Sequence, residues 1–220
     1  MKAEILNKTQ RQFLAAAGKI AYLEDNFYLT GGTALSAFYL GHRYSEDLDF
    51  FSENEVDMIN IDSAVNALKK DTGAKKVDFE QSYNRNLFFF HFDKMVLKTE
   101  FTYFPFSRIE KNGIECGISI DSLIDIAVNK LFTIYQRSAA RDYIDLYFIC
   151  KEKKWKIGEL IKKAKLKFDW HIDPLQLGTQ FIKSAKVEDY PKMIKSVSAK
   201  EWRLFFSREA KKLKSEILAD

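Results

Sequence analysis

Between Ile5 and Leu23, apolar residues recur at helical spacing (Ile5, Phe13, Leu14, Ala17, Ile20) and predict a helix. "NFYL" reads as a short strand, Gly31-Gly32 as a turn, and "TALSAFYL" as a helix that begins at that turn. "DLDFF" is the next strand, entered from polar loop sequence, and "IDSAVNALKKD" is an amphipathic helix ending near Gly73. Three further strands follow, "KKVDFEQ", "NLFFFHF" and "MVLKTEFTYF". The polar turns "SYNR" and "DK" join them, which predicts an antiparallel meander. From Asp121 the period changes from two to 3.6. "DSLIDIAVNKLFTIYQR", "RDYIDLYFICK", "IGELIKKAKLKF" and "KEWRLFFSREAKKLKSEIL" all read as helices. The expected fold is α+β: a mixed or antiparallel sheet flanked by helices over 1–118, and an all-helical half over 119–220.

With 46% apolar residues, nineteen Phe and ten Tyr, the chain can fill a packed core. It holds no run of about 18 apolar residues, so no membrane span is expected. The N-terminal "MKAEILNKTQRQFL" is polar and lacks an apolar leader segment, which predicts a cytoplasmic protein. In that compartment Cys116 and Cys150 are expected as small core residues and not as a disulfide. The net charge of +4 is unevenly spread: residues 151–167 carry eight lysines and two glutamates, a local +6, leaving about −2 for the rest. Such a run is either a solvated helix face or a surface that contacts a phosphate backbone.

Two like charges one residue apart, Asp47 and Asp49, stand on the "DLDFF" strand. Residues two apart on a strand face the same side, with alpha carbons roughly 6.6–7 Å apart, while Leu48 and Phe50 turn to the core. A divalent cation such as Mg²⁺ takes one or two carboxylates and completes its shell with water and substrate phosphate, so it would remove the repulsion between the pair. Gly31 and Gly32, between a strand and a helix, either present free amides to an anion or simply form a tight turn. Thr33 and Ser36 could add hydroxyls to a phosphate or cap the helix. Lys98, Glu100 and Thr102 share one face of their strand. Glu100 could complete a three-carboxylate site, hold a second metal or deprotonate an attacking hydroxyl, or it could belong to a surface Lys–Glu face. A haloacid-dehalogenase-type D-x-D fails because "HRYSE" precedes Asp47, and a restriction-nuclease-type site fails because Lys98-x-Glu100 reverses the required order. Three His and two scattered Cys offer no zinc site and no Cys–His nucleophile.

The blocks "LTGGTALSAFYLGHRYSEDLDFF", "LKTEF", "DIAVNK" and "RSAARDYIDLYFI", in that order, resemble the nucleotidyltransferases of the DNA polymerase β superfold, specifically the AbiEii/AbiGii abortive-infection toxin family. The resemblance implies a nucleotidyltransferase-like sheet and a Mg²⁺- or Mn²⁺-dependent transfer of a nucleotide from an NTP to an acceptor. By that resemblance Gly31 and Gly32 hold the triphosphate, Asp47 and Asp49 bind the metal, and the K-x-E block falls on Lys98 and Glu100. The D-x4-K block falls on Asp125 and Lys130, and the last acid on Asp142 or Asp145. Many members of the superfold carry Gly-Ser at the turn; with Gly32 here, the phosphate-contacting hydroxyl would come from Thr33 or Ser36, or be absent. Read by themselves, Asp125 sits in a first helical turn, Lys130 lies about 140° further around the helix, and Arg141 with Asp145 has ion-pair spacing. Arg43, more than His42, could steer phosphate or pair with Glu46, and with Lys130 it would offset the triphosphate charge.

The function expected is that of a toxin in a toxin–antitoxin or abortive-infection (phage defence) system, its helical half closing over the nucleotide. The lysine-rich 151–167 segment favours an RNA or tRNA end as acceptor, a protein hydroxyl being the other candidate; an antitoxin partner is expected. The alternative is a catalytically inactive nucleotide-binding or partner-docking module on the same fold.

Overall fold

A computed structural model of the chain describes residues 5–111 and 113–217. The first residues of the polar N-terminal stretch, and Leu218 at the end of the last expected helix, lie outside them. Two compact units, residues 1–122 and 123–220, make up the chain.

Unit 1 opens with α1 (Lys8–Ala17), started by a capping box: the Gln10 backbone N–H donates to Asn7 Oδ1 at 2.8 Å, and the Asn7 N–H to Gln10 Oε1 at 3.0 Å. The helix expected over Ile5–Leu23 stops at Gly18 and resumes as α2 (Ala21–Asn26). At Gly18 the backbone lies directly on that of Cys116 and Gly117, where a Cβ would overlap the Cys116 carbonyl. Periodicity alone carries no sign of that approach.

The sheet has seven strands in the order β3-β4-β5-β2-β1-β7-β6. They are β1 (Tyr28–Thr30), β2 (Leu48–Ser52), β3 (Lys76–Ser82), β4 (Arg85–His91), β5 (Val96–Tyr103), β6 (Ile114–Glu115) and β7 (Ile118–Ile120). The expected meander is present as β3-β4-β5, each pair antiparallel. β5 then pairs with β2 in parallel, β2 with β1 antiparallel, and β1 with β7 in parallel. The β6–β7 hairpin is an addition to the expected elements, because strands of two and three residues are too short for alternation to register. β7 spans the expected division after residue 118, and it belongs to the sheet of unit 1. Cys116, expected in the core, is exposed in the turn of that hairpin at φ 54°.

One face of the sheet carries the core. Phe50 stacks on Phe101 at 4.9 Å, Phe13 of α1 meets Phe90 edge-on at 4.9 Å, and Phe27 meets Phe101 at 5.2 Å. Ile61 and Leu68 of α4 (Met58–Thr72) are also buried in unit 1. Burial of each such aromatic contributes on the order of 1.5–3 kcal/mol, so the strand register is strongly held. Asp49 and Glu100 project from the opposite face.

Unit 2 contains α5 (Leu123–Gln136), α6 (Ala140–Lys153), α7 (Ile157–Phe168), α8 (Pro174–Lys183) and α9 (Ala199–Ile217). α8 was not among the expected helices. Gly178 weakens its intrinsic propensity, but the Asp173 cap, Pro174 in the first turn and the packing of Phe181 on Phe206 at 5.1 Å outweigh that. Cys150 is buried as expected, and burial, with the Glu209 charge adding, pushes its thiol up to about 12. No helix among the described residues is long and apolar enough to cross a membrane.

Candidate active site

Three adjacent strands bring the first group of expected residues together. Thr30 at the end of β1 is the register partner of Asp49 on β2, and Asp49 is the register partner of Glu100 on β5. Residues in register on neighbouring strands point to the same side, and the strands lie about 4.8 Å apart. Asp49 and Glu100 therefore stand side by side, opposite the fully buried Leu48 and Phe50. Asp47 precedes the first residue of β2, its side chain is 40% exposed, and Lys98 Nζ lies 3.4 Å from its Oδ2. The loop that delivers Asp47 is fixed from two directions: the Gln10 side-chain amide donates to the Ser45 and Glu46 carbonyls, and Thr33 Oγ1 donates to the Asp47 carbonyl at 2.5 Å.

The glycine pair has two separate physical requirements. Gly31 adopts φ +72°, and a Cβ there would overlap the Asp49 carboxylate. Gly32 has ordinary backbone, but a Cβ would overlap Arg43 Nη2 and come 3.0 Å from Ser45 Oγ. The Arg43 guanidinium, buried and donating to the Tyr44 carbonyl at 2.9 Å, fills the room that a serine side chain at position 32 would need. That accounts for glycine at the second position. Neither expected hydroxyl faces outward: Thr33 is turned to Asp47, and Ser36 is fully buried in the π-helical turn Leu35–Leu40 that continues the short helix α3 (Gly31–Ala34). His42 is likewise buried. Gly31→Ala and Gly41→Ala make a matched pair, since among the described residues a Cβ at Gly41 (φ +62°) would meet only Ile5 Cδ1, at 3.5 Å. Both changes are expected to cost about 1–3 kcal/mol in urea denaturation. Only Gly31→Ala should also displace Asp49 and abolish catalysis.

Glu100 is held by two neighbouring side chains. Its side chain is 7% exposed, Arg85 Nε donates to Oε1 at 2.7 Å and Nη2 to Oε2 at 2.5 Å, and Thr102 Oγ1 donates to Oε1 at 2.5 Å. Burial by itself would raise the Glu100 carboxyl. The hydrogen bonds from Arg85 and Thr102, with the charges of Arg85 and Lys98, outweigh burial and hold it below the ordinary glutamate value. A carboxylate held that way has little affinity for a proton, so it suits a metal ligand better than a base. Arg85 was absent from the expected site. It lies in the "SYNR" segment, and only the β4–β5 register, which sets Arg85 opposite Thr102, reveals its reach to Glu100.

Among the described residues, no cluster of three or more His, Cys, Asp or Glu is drawn together as metal ligands. The side chains nevertheless fit a hard cation. The donors are carboxylates, Asp49 and Glu100 share one face, and the cationic groups of Lys98 and Arg85 already lie on Asp47 and Glu100.

In unit 2, Lys130 Nζ lies 2.6 Å from Asp142 Oδ1 and 2.8 Å from Asp145 Oδ2, and Arg137 Nη2 lies 3.3 Å from Asp142 Oδ2. Both candidates for the last acid therefore meet Lys130, and Asp145 turns inward to it instead of outward to Arg141. Asp125 is separate: its carboxylate is paired with Lys167 at 2.6 Å, both side chains fully buried. Lys167 thus leaves the lysine-rich surface, whereas Lys153, Lys154, Lys156, Lys162 and Lys165 remain exposed.

Residues 12–216 match the family model described as nucleotidyl transferase AbiEii toxin, type IV toxin–antitoxin system. An uncharacterized protein of Aquifex aeolicus (strain VF5), aq_aa25, is 34% identical over 165 residues, covering 74% of this chain and 76% of its own length. Among solved structures, JHP933 from Helicobacter pylori is similar with a TM-score of 0.60 at 21% identity, over 100% of this chain and 95% of its own. MenT4, the nucleotidyltransferase toxin Rv2826c of Mycobacterium tuberculosis H37Rv, gives 0.51 at 15% identity, over 97% and 89%. At these identities the structural likeness is one of fold.

Proposed function

This chain belongs to the AbiEii nucleotidyltransferase toxin family, and from that premise we propose that it transfers a nucleotide from an NTP to an RNA end in a Mg²⁺-dependent reaction. The observation that carries the reading is the register of Asp49 with Glu100 across adjacent parallel strands, with the Gly31 turn packed on Asp49. Asp47, Asp49 and Glu100 would hold the divalent cation; when bound, it polarises the phosphoryl oxygens and offsets the charge that builds on them. The glycine turn lies beside Asp49 and would receive the triphosphate, and Arg43, stacked under Gly32, adds fixed positive charge there. Lys98, adjacent to Asp47, is placed to move from carboxylate to phosphate. In the reaction an acceptor hydroxyl oxygen bonds to the α-phosphorus, and the bond to the departing pyrophosphate breaks. With Glu100 acting as a ligand, the hydroxyl proton leaves to solvent or to the substrate.

RNA is favoured over a protein hydroxyl because the exposed lysines of the 151–167 segment outnumber its two glutamates and present a surface for phosphates. Family membership makes a cognate antitoxin the expected regulatory partner and phage defence the expected setting. The test is to incubate the chain with α-labelled NTPs, an RNA pool and a protein extract, with and without Mg²⁺. Label in RNA only when Mg²⁺ is present is the expected result. Label in protein would replace the acceptor, and no label in either would favour the inactive binding module.

A further inference from the structure

The bidentate pair between Arg85 and Glu100 sets a condition on how metal enters the site. An ionised carboxylate offers about four lone-pair positions. Arg85 Nε and Thr102 Oγ1 occupy Oε1, and Arg85 Nη2 occupies one position on Oε2. A cation approaching Glu100 therefore meets a guanidinium fork already seated on both oxygens. The two partners differ in freedom: the Glu100 side chain is 7% exposed, while that of Arg85 is 51% exposed. Arg85 begins β4 beside the 83–84 turn, so its side chain can move to solvent while Glu100 stays in the sheet. The hydrogen bond to Glu100, with the charges of Glu100 and Asp49 adding, holds the Arg85 guanidinium above its ordinary value, and Asp49 stands in register with Glu100 on the adjacent strand.

We propose that Arg85 is a displaceable counter-cation of the catalytic carboxylates: it neutralises Glu100 in the metal-free protein and competes with a divalent cation for that carboxylate. This rests on the reading of Asp47, Asp49 and Glu100 as the metal-binding group. The fork offsets the charge of the buried Glu100 beside Asp49, which keeps the sheet stable without metal, and it weakens the affinity for free cation. Metal carried in on a triphosphate brings negative charge with it and overcomes that competition more readily than the free ion.

Titration calorimetry with Mn²⁺ on the full chain at pH 8, without nucleotide, reads this directly. Removing one positive charge a few ångströms from a doubly charged ion should tighten Mn²⁺ binding by Arg85→Met about tenfold or more. Arg85→Lys keeps the charge but loses the fork, so it should fall between that variant and the wild type, and it preserves the measurement should Arg85→Met fold poorly. Thermal melts in EDTA should show both variants less stable than wild type, with a larger gain on adding Mn²⁺. Unchanged or weaker Mn²⁺ binding by both variants overturns the proposal and makes Arg85 a fixed support of Glu100. Asp49→Asn separates the two levels of inference. If it abolishes Mn²⁺ binding while the Arg85 variants do not tighten it, only the counter-cation role falls. If it leaves Mn²⁺ binding untouched, the metal-site reading falls as well.

Discussion

Asp49→Asn should lower nucleotide transfer by about 10³-fold or more, since a metal contributes several kcal/mol to phosphoryl transfer and each 1.36 kcal/mol is a factor of ten. The fold should survive. Asp49 extends from the face of β2 opposite the core, its neighbours Leu48 and Phe50 carry the packing, and Asn keeps the shape that fits against Gly31. Asp47→Asn should have a similar effect, because the loop around it is held by backbone carbonyls that accept from Gln10 and Thr33, while its own carboxylate makes a long, half-exposed contact to Lys98 at 3.4 Å. The double variant should be little worse than either single one, as groups that act as a unit are non-additive. Label transfer from NTP, paired with a thermal melt, checks both points. Full activity in either single variant would remove these aspartates from the site.

Lys130→Met should have the largest effect on stability, about 3–5 kcal/mol, the usual cost of breaking a buried ion pair by removing one partner. Its ammonium is shared by Asp142 and Asp145, whose side chains are 2% and 0% exposed, and both would be left charged and buried. Arg137 reaches only Asp142, at 3.3 Å, and its side chain is largely exposed, so it cannot replace the lysine for Asp145. Urea denaturation of unit 2 helices followed by circular dichroism is the measurement. Replacing Asp142 and Asp145 by Asn in the Lys130→Met background should recover part of the loss, because the two buried charges that Lys130 offsets are then removed with it. A Lys130→Met protein of unchanged stability and reduced NTP affinity would instead give Lys130 to the nucleotide.

The types of the longer elements, and the faces of β2 and β5, were legible in the chain itself. Leu48 and Phe50 alternate with Asp47 and Asp49, and Leu97, Thr99 and Phe101 alternate with Lys98 and Glu100. A period of two needs only neighbouring residues to be read, and burial of the phenylalanines enforces it. The paired acids were legible for the same reason, being local, whereas the glycines expected as a turn before a helix instead open the helix α3 themselves, Gly31 at φ +72°. What the sequence could not supply was anything that depends on one segment meeting another. The stop at Gly18 is decided by the Cys116–Gly117 backbone, the glycine at position 32 by Arg43, and α8 by Phe181 on Phe206. The charge partners were decided the same way: Arg85 for Glu100 through the β4–β5 register, Lys130 for Asp142 and Asp145, and Lys167 for Asp125. A side chain's charge is written in the sequence. Which opposite charge it meets, and whether water is excluded from the pair, depends on long-range packing, and that decides whether an acid is a ligand, a base or a structural partner.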